Sequence, residues 1–183
     1  MNFWVKVLII SLHLIVNSAL ASQCDRKTWE ALLDQQLETE GRYNQYTKEF
    51  NKVLANYESQ TLLSRHFTEK QMVTIWAKYK ERFNTQLNNH MEATYHISKE
   101  LLKRADIVST DLKHVHSLAR SWQDVADHCA IVKLPTQSKN ALTHVESSQS
   151  LADDIQTLNK KFRVLSSKYR QEATMIDQAL HTY

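Results

Sequence analysis

Residues 101–129 read LLKRADIVSTDLKHVHSLARSWQDVADHC, a stretch with a regular pattern of apolar side chains. Apolar side chains recur in it every seven residues, at two positions of the repeat. The first position holds Leu101, Val108, Val115, Trp122 and Cys129, and the second holds Ala105, Leu112, Ala119 and Ala126. A repeat of this kind keeps one face of an α-helix turned toward a neighbouring helix. The sequence therefore predicts helices that pack along their length.

Shorter repeats with the same spacing occur on both sides of this stretch. One runs through Tyr43, Tyr46, Phe50, Val53 and Tyr57, and another through Leu151, Ile155, Leu158, Phe162, Leu165, Tyr169 and Ile176. Glycine and proline, which punctuate turns and loops, occur only once each in 183 residues. Together these patterns predict an all-α fold. Its helices are expected at about 26–63, 68–132 and 139–181, with connections at 64–67 and 133–138.

Two arrangements of these helices are compatible with the sequence. Short connections favour long antiparallel helices with heptad spacing, packed as an elongated three-helix coiled-coil rod. The alternative is a four-helix bundle with a break near 106–111, because Ser109, Thr110 and Asp111 prefer helix caps to helix interiors. Gly41 is a second candidate interruption, within the first helix.

The first 21 residues have the three parts of a cleavable signal peptide. Lys6 provides a cationic start, residues 7–16 are mainly apolar, and Ala19 and Ala21 form the small-residue cleavage site. The apolar stretch is shorter than the roughly 20 residues that span a bilayer, and no second one follows. The sequence predicts an exported protein, periplasmic or secreted. Its mature part is a single all-helical domain over 22–183 without an integral membrane segment.

Cys24 and Cys129 are the only cysteines, and an oxidising compartment favours a bond between them. The predicted helix lengths oppose this bond. A chain reversal at 64–67 places residue 24 beside about residue 107, which is roughly 33 Å along a helix from Cys129. The sequence therefore leaves a possible Cys24–Cys129 disulfide open.

Residues Phe67-Thr68-Glu69-Lys70-Gln71 have the spacing of a helix capping box. In a capping box the threonine caps the first turn and the glutamine reaches back to the threonine amide. The same stretch resembles the Leu-Thr-x-x-Gln motif of small periplasmic stress chaperones of the Spy and CpxP type, with phenylalanine in place of leucine. That resemblance implies an alternative function as a periplasmic chaperone or stress-response protein.

Charge and motifs narrow the classes of function. Lysine and arginine total 23 and aspartate and glutamate 20, with no basic run longer than two residues, so no nucleic-acid partner is expected. No glycine-flanked nucleophile or phosphate-binding loop occurs, so no enzymatic activity or cofactor is expected. Glu92 with His96, and Asp124 with His128, have metal-ligand spacing on a helix, but each pair supplies only two ligands. A metal- or cofactor-binding helical bundle is a further alternative.

The leading hypothesis is a non-enzymatic exported coiled-coil protein that acts through protein–protein interaction in the cell envelope or outside the cell. Apolar helix faces bind the groove or helix of a partner, which is another protein or a second copy of this chain. The candidate interaction residues are Trp76, Tyr79, Phe83 and Trp122. Trp122 is expected to matter for folding, and the other three for binding.

Overall fold

The computed structural model describes residues 24–181, and within that range the chain is 93% helical with no strand. The long helices are α1 (Arg26–Ser59), α2 (Glu69–Ile131) and α3 (Pro135–His181), with a short 3-10 turn at Leu63–Arg65. The prediction of an all-α fold with three long helices is confirmed. The predicted signal peptide, residues 1–21, lies outside the described residues.

α2 is continuous through residues 106–111, so the four-helix alternative is wrong. The hydroxyl group of Thr110 donates a hydrogen bond to the carbonyl of Ile107 at 2.7 Å, within the same helix. The buried Asp111 carboxylate accepts a hydrogen bond from Arg42 of α1 at 3.1 Å. Thr110 thus bonds within its own helix and Asp111 bonds to a neighbouring one, so both side chains are accommodated in a helix interior.

The capping box at the start of α2 is confirmed. The amide of Thr68 donates to Gln71 Oε1 at 2.8 Å, and the amide of Gln71 donates to Thr68 Oγ1 at 3.3 Å. The loop predicted at 133–138 is shorter in the structure, because α3 begins at Pro135. Proline suits the first position of a helix, since its φ is already helical and its missing N–H is not needed there.

The pairing of α1 with α2 differs from the predicted register. The cross-helix pairs are Cys24 with Cys129, Arg42 with Asp111, and Glu49 with Arg104. In each pair the two residue numbers add to 153, so the pairing is centred between residues 76 and 77. The estimate that placed residue 24 beside residue 107 is therefore wrong.

The centre of the pairing lies later in the chain than the connection between α1 and α2, and a kink in α2 lies close to it. The connection itself covers 60–68 rather than 64–67, because α1 ends at Ser59. Inside α2, Tyr79 has φ −128° and ψ 15°, and two helical stretches meet there at a kink. No proline or glycine lies at this kink, so the sequence does not predict it.

The chain forms two compact units, and parts of all three helices contribute to each. Among the described residues, unit 1 combines 24–42 with 111–154, and unit 2 combines 43–110 with 155–181. Trp122 and Cys129 are fully buried in the core of unit 1. Around them pack Leu32, Leu118, Val125, Ala126, Ala141 and Val145. The single mature domain stays a prediction.

Aromatic pairs between α1 and α3 pack the core of unit 2. Phe50 meets Phe162 edge to face with ring centroids 5.0 Å apart, and Tyr57 meets Tyr169 in the same way at 5.4 Å. Such contacts stabilise a core beyond the apolar area that they bury. A second cluster of unit 2 contains Met72, Trp76, Met175 and Ala179.

Candidate interaction surfaces

Trp122, one of the four predicted interaction residues, is a core residue of unit 1. Its indole meets Trp29 edge to face at 5.0 Å and stacks on His144 at 4.3 Å, with 17° between the ring planes. Burial lowers the pKa of His144, and the nearby Glu40 carboxylate opposes that shift only in part. Trp122 is 0% exposed, so it supports the fold and offers no surface to a partner.

The other three predicted residues all lie in unit 2 but differ in exposure. Trp76 is buried, and packs in the cluster with Met175. Tyr79, at the kink of α2, is 42% exposed, and Phe83 is partly exposed one turn later. The rings of Tyr79 and Phe83 meet edge to face with centroids 6.3 Å apart. The structure therefore brings two of the four residues together at the surface, as the Tyr79–Phe83 pair.

A cation covers each ring of the Tyr79–Phe83 pair. The ammonium group of Lys78 lies 5.2 Å from the centre of the Tyr79 ring. The guanidinium group of Arg82 lies 5.4 Å from the centre of the Phe83 ring. These distances are within the range of cation–π attraction. Tyrosine, phenylalanine and arginine are enriched at protein interfaces. The pair and its two cations have the composition of such a contact surface.

The turn between α2 and α3, in unit 1, is closed by backbone hydrogen bonds. The amide of Leu134 donates a hydrogen bond to the carbonyl of Cys129 at 2.8 Å. The amide of Lys133 donates one to the carbonyl of Ala130 at 3.1 Å. This is the pattern of a Schellman motif, which needs a left-handed residue. Lys133 takes that position with φ 61°. Glycine adopts this conformation at lower cost than lysine does.

Apolar side chains of the same turn face solvent. Ile131 is 76% exposed, Val132 40% and Leu134 37%. The heptad repeat does not predict that these residues are exposed, because they directly follow its last buried residue, Cys129. Exposed apolar side chains that stand close together are more informative than single ones. Residues 131–134, the α2–α3 turn, are therefore a second candidate surface.

A disulfide joins Cys24 to Cys129, with the two Cα atoms 5.7 Å apart. Cys129 is the last buried position of the α2 repeat, so the bond ties the start of α1 to the helix end that carries the turn. Next to Cys24, the Asp25 carboxylate accepts a hydrogen bond from the amide of Thr28 at 2.7 Å and caps α1. This hydrogen bond lowers the pKa of Asp25.

Glu172 of α3 is a fully buried carboxylate in unit 2. It accepts hydrogen bonds from the amides of Leu63 and Ser64 at 2.8 and 2.7 Å, and lies 2.8 Å from His90 Nε2. Burial alone would raise its pKa, but the hydrogen bonds from His90, Ser64 and Leu63 outweigh burial and lower the pKa of Glu172 to about 2. The carboxylate thus holds the 3-10 turn between α1 and α2.

We expect the Glu172 carboxylate to make the fold sensitive to acid. Its pKa falls from an ordinary 4.5 to about 2, so its stabilising effect is complete above pH 4.5 and is lost as the pH falls toward 2. A shift of this size corresponds to about 3 kcal/mol. In urea titrations across this pH range, Glu172→Gln should be less stable at neutral pH and should change less on acidification. Equal pH dependence in both proteins would contradict the assignment.

Within residues 24–181, no group of three or more histidine, cysteine, aspartate or glutamate side chains is placed to hold a metal ion. A cavity of about 530 Å³ in unit 2 is lined in part by Glu49 and Arg104, which form an ion pair with each other at 3.0 Å. No helix in the described range is long and apolar enough to cross a bilayer. That the chain has no enzymatic activity, metal or cofactor stays a prediction.

Known proteins provide no relative from which a function can be transferred. No family model, no curated protein and no solved structure matches this chain.

Proposed function

We propose that the chain is a non-enzymatic, exported helical protein that acts by binding another protein, or a second copy of itself, in the cell envelope or outside the cell. The observation that carries the proposal is the Tyr79–Phe83 pair, in which Tyr79 is 42% exposed and Phe83 is partly exposed. Residues that contribute most to binding are often aromatic. Trp76 is buried beside Met175, so the pair stands on a stretch of helix that is itself packed into unit 2.

Export is supported by the sequence of residues 1–21 and by the Cys24–Cys129 disulfide. Disulfides form and persist in oxidising compartments such as the periplasm and the extracellular space. The heptad spacing of the apolar residues supports coiled-coil packing of the helices.

The chaperone alternative depended on residues 67–71, where Thr68 and Gln71 bond to each other as a capping box. It therefore receives no separate support.

Photo-crosslinking in the producing cell tests this proposal. A crosslinking amino acid at position 83 should form an adduct of defined mass, either with a second copy or with another protein. The matched control is position 164, because Val164 is an apolar residue of unit 2 that is 57% exposed. Adducts of equal yield at both positions, or at neither, would remove the Tyr79–Phe83 pair as the binding surface.

A double variant supplies the complementary measurement. Tyr79→Ser/Phe83→Ser should weaken the complex, as followed by light scattering at several concentrations or by recovery of the crosslinked partner. Because Tyr79 is 42% exposed, the thermal unfolding of the variant should change little. Val164→Ser should leave the complex intact. A double variant that associates as strongly as the unmodified protein would contradict the proposal.

A further inference from the structure

The α2–α3 turn exposes more apolar surface than its own folding requires. Its hydrogen bonds join backbone groups, its left-handed residue is Lys133, and the disulfide at Cys129 anchors it to α1. None of these contacts uses the side chain of Ile131 or Val132. Single exposed apolar residues are ordinary, but three within four positions at a helix end form a small apolar tip.

The tip lies in a stretch of chain without negative charge. Residues 128–145 contain no aspartate or glutamate, but they include the exposed Lys133 and Lys139. The nearest acidic residues along the chain are Asp127 and Glu146. The turn therefore combines apolar side chains with positive charge.

The start of α1, which the disulfide holds beside α2, does not cancel this charge. Arg26 forms an ion pair with Glu30 at 2.6 Å. The Asp25 carboxylate is engaged in capping α1, and the exposed Lys27 balances its charge. These four residues are neutral together, so they leave the charge of Lys133 and Lys139 unchanged. The nearest carboxylate on α2 is that of Asp127, one turn before Ile131.

A tip of this size fits a lipid surface better than a protein partner. Stable protein interfaces bury about 1,200–2,000 Å² in total, which three side chains cannot supply. A bilayer interface needs no matching surface, and each apolar side chain that enters it strengthens binding by about tenfold or more. Lysine stems lie along apolar groups while their ammonium groups stay in water. Lysines near a membrane surface favour anionic lipids.

We infer that the α2–α3 turn inserts Ile131, Val132 and Leu134 into the interfacial region of a membrane that contains anionic lipids. Lys133 and Lys139 then face the headgroups. The attachment is peripheral, which agrees with the finding that no helix within residues 24–181 can span a bilayer. It is independent of protein binding by the Tyr79–Phe83 pair.

Vesicle sedimentation of the purified protein, with its disulfide intact, tests the inference. We expect binding to vesicles rich in phosphatidylglycerol, weaker binding to pure phosphatidylcholine, and a decrease as salt is added. Ile131→Ser/Val132→Ser should lower the vesicle partition coefficient at least about tenfold. The matched control is Leu37→Ser, which removes an apolar side chain that is 64% exposed in the same unit, and it should bind as the unmodified protein does.

Further variants and readouts make the result decisive. Lys133→Gln/Lys139→Gln should reduce the preference for phosphatidylglycerol and the dependence of binding on salt. Circular dichroism melting should show that each variant is folded.

The inference is overturned if the unmodified protein fails to bind phosphatidylglycerol vesicles or if Ile131→Ser/Val132→Ser binds equally well. A crosslinker at position 131 that captures a protein in the cell, without vesicle binding, overturns it too. In each case an adduct at position 83 shows that the proposed protein binding still holds.

Discussion

Reduction of the Cys24–Cys129 disulfide is expected to lower the free energy of unfolding by about 4 kcal/mol. The bond joins residues 105 positions apart. A link of this length removes many conformations from the unfolded chain, so its loss stabilises the unfolded state. Urea unfolding with and without dithiothreitol, followed by circular dichroism, measures the difference.

Cys24→Ser is the control for the disulfide. Cys129 is fully buried, so it is left in place to avoid adding a hydroxyl group to the core. The variant should be as unstable as the reduced protein and should not respond to dithiothreitol. Equal stability of the oxidised and reduced proteins would contradict the prediction, as would two free thiols in the protein isolated without reductant.

Trp122→Ala is expected to cost about 4 kcal/mol of stability, because it leaves a large cavity in the core of unit 1. The indole is 0% exposed and contacts the rings of Trp29 and His144. Trp122→Asp should unfold the unit altogether, since it also buries an unpaired charge. The measurements are urea titration for the alanine variant and far-UV circular dichroism for the aspartate variant.

Leu37→Ala is the matched control for Trp122, because Leu37 is an apolar residue of unit 1 that is 64% exposed. We expect it to change the free energy of unfolding by no more than about 0.5 kcal/mol. If Trp122→Ala and Leu37→Ala proved equally mild, the core of unit 1 would not be centred on Trp122.

The buried face of α2 was predictable from its heptad repeat alone. The five residues at the first position of that repeat are all at most 3% exposed: Leu101, Val108, Val115, Trp122 and Cys129. The capping box at Thr68 was also predictable, because both of its partners lie within one turn of helix. Local spacing decides which residues of one helix face the same way, and such features need no knowledge of the rest of the chain.

The register between helices was not predictable in this way. It depends on contacts between distant residues, such as the pairing of Arg42 with Asp111, and on the kink at Tyr79, which no helix-breaking residue marks. Gly41 shows the opposite case: α1 passes through it unbroken. The cost of a glycine inside a helix is only about 1 kcal/mol, which packing elsewhere in the helix readily offsets.

The candidate surfaces were predictable only in part. Trp76 and Tyr79 follow the same apolar spacing, yet the first is buried and the second exposed, since spacing does not say which part of a face a neighbouring helix covers. Glu172 looks in the sequence like any glutamate on a solvated face, although it is fully buried. The lack of acidic residues over 128–145 was visible in the sequence, but only the exposure of Ile131 gives it meaning.

The order in which unit 1 assembles follows from its connectivity. Trp122 and His144, which stack across the α2–α3 turn, are 22 residues apart, whereas the two cysteines are separated by 105. Closing the longer loop costs about 1 kcal/mol more in chain entropy. We therefore expect the α2–α3 hairpin to form before α1 docks onto it. Once oxidised, the chain keeps the start of α1 tethered to the end of α2 even when it is unfolded. We therefore expect the oxidised protein to refold faster than the reduced one, because its longest loop is already closed.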